Sequence, residues 1–403
     1  MGSWEISATR NIFKKLQEKY NMHYNIYLAE KIPAIEENKK ESLEVLAEIE
    51  RLKPDAAKKE FKENWNARYG IKFLTSRLTS FAREVSDSVC RRLEPFRQDT
   101  DDPQYLQFDD MTEELKDEYK NGTTTKVKLP NGTYLEPYLN LDGGYTVYNG
   151  KVYKSEFGQL KHRKRNKRAK KMQVVEVPNR KLYKTYEEFA DERYTFNPET
   201  GTYGYFWNPQ AFYDWFSIGG RWPCEFLVKE DCFESSLGEI DYDREPTKAP
   251  EGYKWVCFAR KKDIQWQVMR DTQFKDLSED YEYLKACFEA GEMLKEEDKA
   301  HNYYSIKENK ILYWGDIVYV AGETFQEYLD RHNFNDKYGL LPYGFLSIDD
   351  EYIEREYVCI SISETDKKPD IAVKKREEWH RLFEDFIEST NDEDVIVSVD
   401  IHM

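Results

Sequence analysis

Over the first 120 residues apolar positions recur three and four apart. Residues 11–20 carry this helical pattern. Residues 36–52, rich in Glu, Lys, Leu and Ala, set Leu43, Leu46 and Ile49 on one stripe. Pro54 is placed to open a further helix to about residue 68. From 71 to 96, Phe73, Leu74, Leu78, Phe81, Val85, Val89 and Leu93 keep the helical period. Pairs such as Glu36 and Lys40, four apart, suit solvated outer faces. Residues 1–120 are therefore expected to form a helical bundle or arm.

An acidic linker follows at 101–112, and from Thr123 the period changes to two. Residues 125–129 and 133–135 flank Pro130-Asn131-Gly132, and 145–148 and 151–153 flank Asn149-Gly150, so two hairpins are expected. Further on, the pattern predicts strands at 203–207, 226–228, 253–258, 311–313, 317–320, 357–362 and 395–402. Helices are expected at 186–193, 278–294, 324–332 and 375–386. Strands in groups with helices between them indicate an α+β fold. The expected domains are the helical N-terminal region (1–120) and a mixed, mainly antiparallel sheet domain with short helices (121–403).

One run interrupts this pattern: Phe206-Trp207-Asn208-Pro209-Gln210-Ala211-Phe212-Tyr213-Asp214-Trp215-Phe216-Ser217-Ile218-Gly219-Gly220-Arg221-Trp222. Asn208 is a good N-cap, Pro209 suits a first helical position and Gly219 suits a helix stop. A short helix over 209–218 follows, with Phe212, Trp215 and Phe216 inward. Gly219 and Gly220 then let the backbone approach something closely, with Arg221 and Trp222 beside it. The run resembles the signature of a widespread family of bacteriophage and bacterial proteins, Trp-Asp-Trp-Tyr-x-Ile-Gly-Gly-Arg-Trp. Two weaker echoes follow, at Lys262-Asp263-Ile264-Gln265-Trp266 and at the terminal Val399-Asp400-Ile401-His402. The resemblance spans residues 195–403. It implies a phage or prophage accessory protein and brings no activity with it.

Composition narrows the classes. The net charge is −16, which disfavours broad contact with nucleic acid or an anionic membrane. Aromatics make up 15% of the chain, with 30 Tyr and 9 Trp, which suits adhesive surfaces as well as cores. The six cysteines form no C-x-x-C pair, which argues against a zinc ribbon or disulfide framework and for a reducing compartment. No apolar run reaches membrane-spanning length, so a cytoplasmic protein of a bacterium or infected cell, without a membrane partner, is expected.

Candidate chemistry lies in three places. In 395–402, Ser398, Asp400 and His402 share a strand face, and an Asp beside a His can fix its tautomer and raise its basicity. With Asp214, Arg221 and Asp263 they make a candidate catalytic set (Asp214, Arg221, Asp263, Asp400, His402). Gly219, Gly220, Arg221 and Trp222 form a candidate ligand grip for a phosphate or carboxylate. Third, Lys161, Arg163, Lys164, Arg165, Lys167, Arg168, Lys170 and Lys171 form a basic loop at 161–171, a candidate phosphate-backbone contact. It contains no aromatic for base stacking. Asp241 and Asp243 lie too far from the Gly-Gly pair for a nucleotidyltransferase signature. No Walker A or dinucleotide fingerprint is present, and no metal site or cofactor is indicated.

Three functions fit. One is a phage or prophage factor that binds and inhibits a host defence or nucleic-acid-handling protein, for example of the anti-CRISPR type. Another is a nucleotide-binding or nucleotide-modifying enzyme, of the nucleotidyltransferase or hydrolase class. The last is a nucleic-acid binder acting through the basic loop.

Overall fold

The computed structural model describes residues 23–58, 61–139, 145–156, 159–160, 167–221, 225–240, 248–290, 302–305, 310–313, 316–355 and 369–402. The helix expected at 11–20, the strand at 357–362, residues 161–166 of the basic loop and Trp222 lie outside them. The fold is α+β. The chain makes two compact units, one from residues 99–210, the other from the segments ending at Gln98 and resuming at Ala211. No break falls near residue 120, where the change of period suggested a boundary.

The reason is a strand inside the region read as helical. His23–Glu30 (β1) is followed by the helices Lys39–Ala56 (α1), Phe61–Ser76 (α2) and Ser80–Leu93 (α3). Pro54 sits in the last turn of α1 instead of opening a helix. The long pattern over 71–96 is split where Thr79 caps α3 by accepting the Ala82 N–H at 3.0 Å. After Ala211 come β2 (Trp215–Gly220), β3 (Ser235–Ser236), β4 (Glu239–Ile240), β5 (Phe258–Arg260) and α4 (Trp266–Ala290). The unit ends with β6 (Gly344–Leu346), β7 (Tyr352–Glu354), α5 (Pro369–Ser389) and β8 (Val395–His402).

The main sheet runs β3-β5-β8-β1-β6-β7, with β2 also on β8 and β4 on β2. β8 is its middle. One edge pairs antiparallel with β1 over all eight residues, from His23 opposite His402 to Glu30 opposite Val395. The other edge is shared: Phe258–Arg260 take Val397 to Val395, and Trp215–Ile218 take His402 to Val399. Segments at opposite ends of the chain thus close one core.

Alternation along these strands gives the sheet two different faces. Ile26, Leu28, Val397, Val399 and Ile401 lie on one, packed in a common core with Phe81, Val85, Val89 and Leu93 of α3. Tyr27 and Phe345 lie on the other, where Trp379, Phe383 and Phe386 of α5 cover them. Towards the His23 and His402 end this second face becomes polar.

The helix expected at 209–218 is not formed. The Asn208 side chain accepts the Gln210 N–H at 2.9 Å in a turn, residues 211 and 212 have no regular structure, Tyr213 bridges to Arg97, and 215–220 are β2. Ladder bonds to the open edge of β8 outweigh a short apolar stripe, and aromatic residues suit a pleated surface. Trp215 and Phe216 therefore point to opposite faces, and Trp215 is 45% exposed.

Residues 99–210 form a smaller unit around Leu115, Tyr183, Phe189, Ala190 and Tyr203. Both expected hairpins are present: Thr123–Lys128 with Tyr134–Leu135, and Tyr145–Tyr148 with Lys151–Glu156. In the second, Asn149 (φ 47°) and Gly150 (φ 67°) take the left-handed conformations that a two-residue turn requires. Among the described residues no helix is long and apolar enough to cross a membrane.

Candidate functional site

Registry builds the polar end of the sheet. His402 lies opposite both His23 and Trp215, Asp400 opposite Asn25 and Ser217, and Ser398 opposite Tyr27. Paired residues share a face, so three strands bring these side chains together.

Each histidine is held by its own carboxylate. His23 Nδ1 is 2.8 Å from Asp400 Oδ1, and His402 Nδ1 is 2.7 Å from Asp214 Oδ1. An ionised carboxylate only accepts, so wherever Asp400 and Asp214 are ionised each Nδ1 is the donor of its pair and Nε2 is left as the basic nitrogen of a neutral ring. The two rings lie 5.0 Å apart between centroids. Trp215 fixes both, stacking flat on His402 (5.3 Å, 15°) and edge-on to His23 (5.1 Å, 72°). The His23 and Asp400 side chains are buried, at 4% and 1% exposure, whereas His402 and Asp214 reach the surface at 16% and 33%. The site therefore opens on the His402, Asp214 and Trp215 side.

Backbone bonds lock the carboxylates. Asp400 Oδ2 accepts the Arg221 N–H at 3.0 Å. Asp214 Oδ1 also accepts the Trp215 N–H at 2.7 Å, and the Asp214 N–H donates to the His402 carbonyl at 3.0 Å. The close approach permitted by Gly219 (φ 83°) and Gly220 (φ 55°) is made to the chain itself. A Cβ at Gly220 would stand 2.5 Å from Asp400, and one at Gly219 2.4 Å from Cys257 Sγ. These glycines seat Asp400 under the turn, and the Arg221 side chain is half-buried.

A further carboxyl adjoins the site. Glu225 Oε2 accepts hydrogen bonds from Tyr27 Oη at 2.8 Å and from Asn25 Nδ2, and lies 3.5 Å from Ser398 Oγ, whose hydrogen goes to Asn25 Oδ1 at 3.0 Å. Burial pushes the Glu225 carboxyl up to about 7, against the lowering effect of these donors. Burial, with the Glu225 charge second, holds Tyr27 well above the usual phenol range. Between about pH 4.5 and about pH 7 the native chain keeps a Glu225 proton that the unfolded chain has lost. Stability therefore falls as pH rises through that window, by about 3 kcal/mol. In Glu225→Gln this loss is expected to vanish. Urea unfolding of both proteins at about pH 5 and about pH 8 checks it, and equal pH dependence in the two would contradict it.

Of the candidate catalytic set, Asp214, Asp400, His402 and the Arg221 backbone come together. Asp263 does not join them. It lies past the other end of β8, where the Lys261 N–H bonds the Asp394 carbonyl at 2.9 Å and Lys262 pairs with Glu393 at 2.7 Å. Six residues of strand, roughly 20 Å, separate Asp394 from Asp400. In the basic loop, Lys167, Arg168, Lys170 and Lys171 are exposed above buried Ala169 and Met172, in the unit formed by residues 99–210. Among the described residues no group of three or more His, Cys, Asp or Glu is arranged to hold a metal ion.

No family model, curated protein or solved structure matches this chain.

Two residues of the candidate site escaped sequence reasoning. His23 had a signal, the alternation His23-x-Asn25-x-Tyr27 against Tyr24-x-Ile26-x-Leu28, hidden between helical patterns. Glu225 had none, being one of 77 acidic residues.

Proposed function

We propose that the protein is an acid–base enzyme of the hydrolase class acting on a phosphodiester bond of a small nucleotide. The observation that carries this reading is the pair His23 and His402, 5.0 Å apart, each with Nδ1 on a separate carboxylate. Phosphodiester cleavage needs a proton removed from the nucleophile and another given to the leaving oxygen, and two adjacent imidazoles can do both. His402 is the more exposed ring, so it serves as base: Nε2 takes the proton of a water as the new P–O bond forms. His23, protonated, gives its proton to the departing oxygen as the old P–O bond breaks. Asp214 and Asp400 hold the rings and stabilise the charged forms. The open side of Trp215 offers a stacking surface for a base. The net charge of −16 weighs against long polyanions and for a small substrate.

The test is a panel of 2′,3′-cyclic and 3′,5′-cyclic mononucleotides and short linear dinucleotides, incubated between about pH 5 and about pH 9. Cleavage of at least one, lost in His402→Ala, supports the reading. No cleavage above background across the panel contradicts it.

A second reading, binding of a host protein, has its own support. Trp65, Tyr69 and Phe73 fall four apart on α2 and are 53%, 54% and 43% exposed, and Leu43 and Leu46 of α1 are 65% and 42% exposed. Such a helical stripe suits a protein partner, as does the likeness of the Gly219-Gly220-Arg221-Trp222 run to a phage family. A host protein co-purifying with the wild type should be lost from a Trp65→Asp, Tyr69→Asp variant. Its retention would dismiss the stripe as the contact.

A further inference from the structure

At the polar end of the sheet Asp400 is buried and Glu225 half-buried, and the two are bonded differently. Asp400 uses both oxygens, Oδ1 towards His23 and Oδ2 towards the Arg221 N–H. Glu225 takes the Tyr27 Oη and Asn25 Nδ2 donors on Oε2, with Ser398 Oγ 3.5 Å from the same oxygen, and Oε1 has no hydrogen-bond partner among the described residues. A carboxyl anchored through one oxygen presents the other in a fixed direction. Its anchors belong to the site: Asn25 stands one strand repeat, roughly 7 Å, from His23 and lies opposite Asp400, and Ser398 is two residues from Asp400.

We propose that Glu225 is a third acid–base group of this site, exchanging a proton with a bound nucleotide through Oε1. The proposal rests on the reading of His23 and His402 as a catalytic pair. The surroundings favour exchange near neutral pH. β1 presents Tyr27 and Asn25 to the carboxyl, with His23 beyond, and β8 presents Ser398, with Asp400 and His402 beyond. From the helices come rings: Phe383 of α5 lies against Tyr27, and Trp266 of α4 against Phe226, the neighbour of Glu225. Burial is the largest influence on the Glu225 carboxyl, outweighing its Tyr27, Asn25 and Ser398 partners and pushing it up to about 7. The ligand atom it meets is a hydroxyl or amino hydrogen, since the ionised carboxylate only accepts. The nucleotide's ribose and base edges supply both.

Glu225→Gln keeps the size and the Oε2-type acceptor but cannot ionise. On a nucleotide that the wild type cleaves, its kcat/KM should fall about 100-fold, and the limb of the pH profile centred near 7 should disappear. Wild-type kcat/KM with an unchanged profile would overturn the proposal. His402→Ala, assayed alongside, separates the two ideas: if it also retains full turnover, the paired-histidine reading fails as well. Should the panel yield no turnover, infrared difference spectra supply the readout. A carboxylic-acid band that titrates near 7, is absent from Glu225→Gln and shifts its midpoint when inorganic vanadate is added would support Glu225 facing the ligand. A midpoint indifferent to vanadate would overturn it.

Discussion

With alanine in place of His402, turnover of a nucleotide phosphodiester is expected to fall by about 1,000-fold, a typical loss for a positioned proton-transfer group. The expectation follows from where the ring sits. His402 reaches solvent, its Nδ1 is tied to Asp214 at 2.7 Å, and Trp215 stacks on its face. Removing the ring deletes the basic nitrogen and leaves the sheet intact, because β8 is held by backbone bonds to β1 and β2. Thermal stability should change little, by about 1 kcal/mol for one lost hydrogen bond near the surface. Steady-state rates and a melting curve on the same preparation check both halves. Loss of rate together with loss of fold would mean that the ring is structural.

The largest stability effect is expected from Gly220→Ala. Gly220 has φ 55°, where a side chain is strained, and its Cβ would fall 2.5 Å from the Asp400 carboxylate and Cβ. Asp400 cannot retreat, since it is 1% exposed and bonded to both His23 and the Arg221 N–H. Either the turn or the carboxylate must move, leaving a buried donor without its acceptor. A cost of about 3 kcal/mol is expected from strain and the unpaired group together. Chemical unfolding of the variant measures it, and a cost below about 1 kcal/mol would show that the Gly219-Gly220 turn is not holding Asp400.

These two sites also show why some of the protein was legible from its sequence and some was not. The alternation of Ser398, Asp400 and His402 along β8 could be read directly, because period two is a property of the strand alone. The hairpin turns at Pro130-Asn131-Gly132 and Asn149-Gly150 were equally local. The helix expected over 209–218 failed because its rival, pairing with β8 some 180 residues away, leaves no trace in the local pattern. The same long-range pairing hid β1, a short strand between a helical pattern and three helices, and with it His23. Asp263 was grouped with the site by its place in a family-like run, yet the register puts it at the opposite end of β8. The Gly-Gly pair was correctly read as a close backbone approach. What it approaches, Asp400 of the same chain, depends on a strand at the far end of the sequence. Glu225 becomes visible only when the polar face of the sheet is assembled around it.

The measurement that bears most directly on the paired histidines is a double-mutant cycle of turnover. His23→Ala, His402→Ala and the double variant would be assayed on the phosphodiester that the wild type cleaves best. Residues that act as one unit are strongly non-additive. Each single variant and the double variant should therefore lose about the same factor, on the order of 1,000-fold, with all four proteins folded. A wild-type rate in either single variant would contradict a catalytic pair.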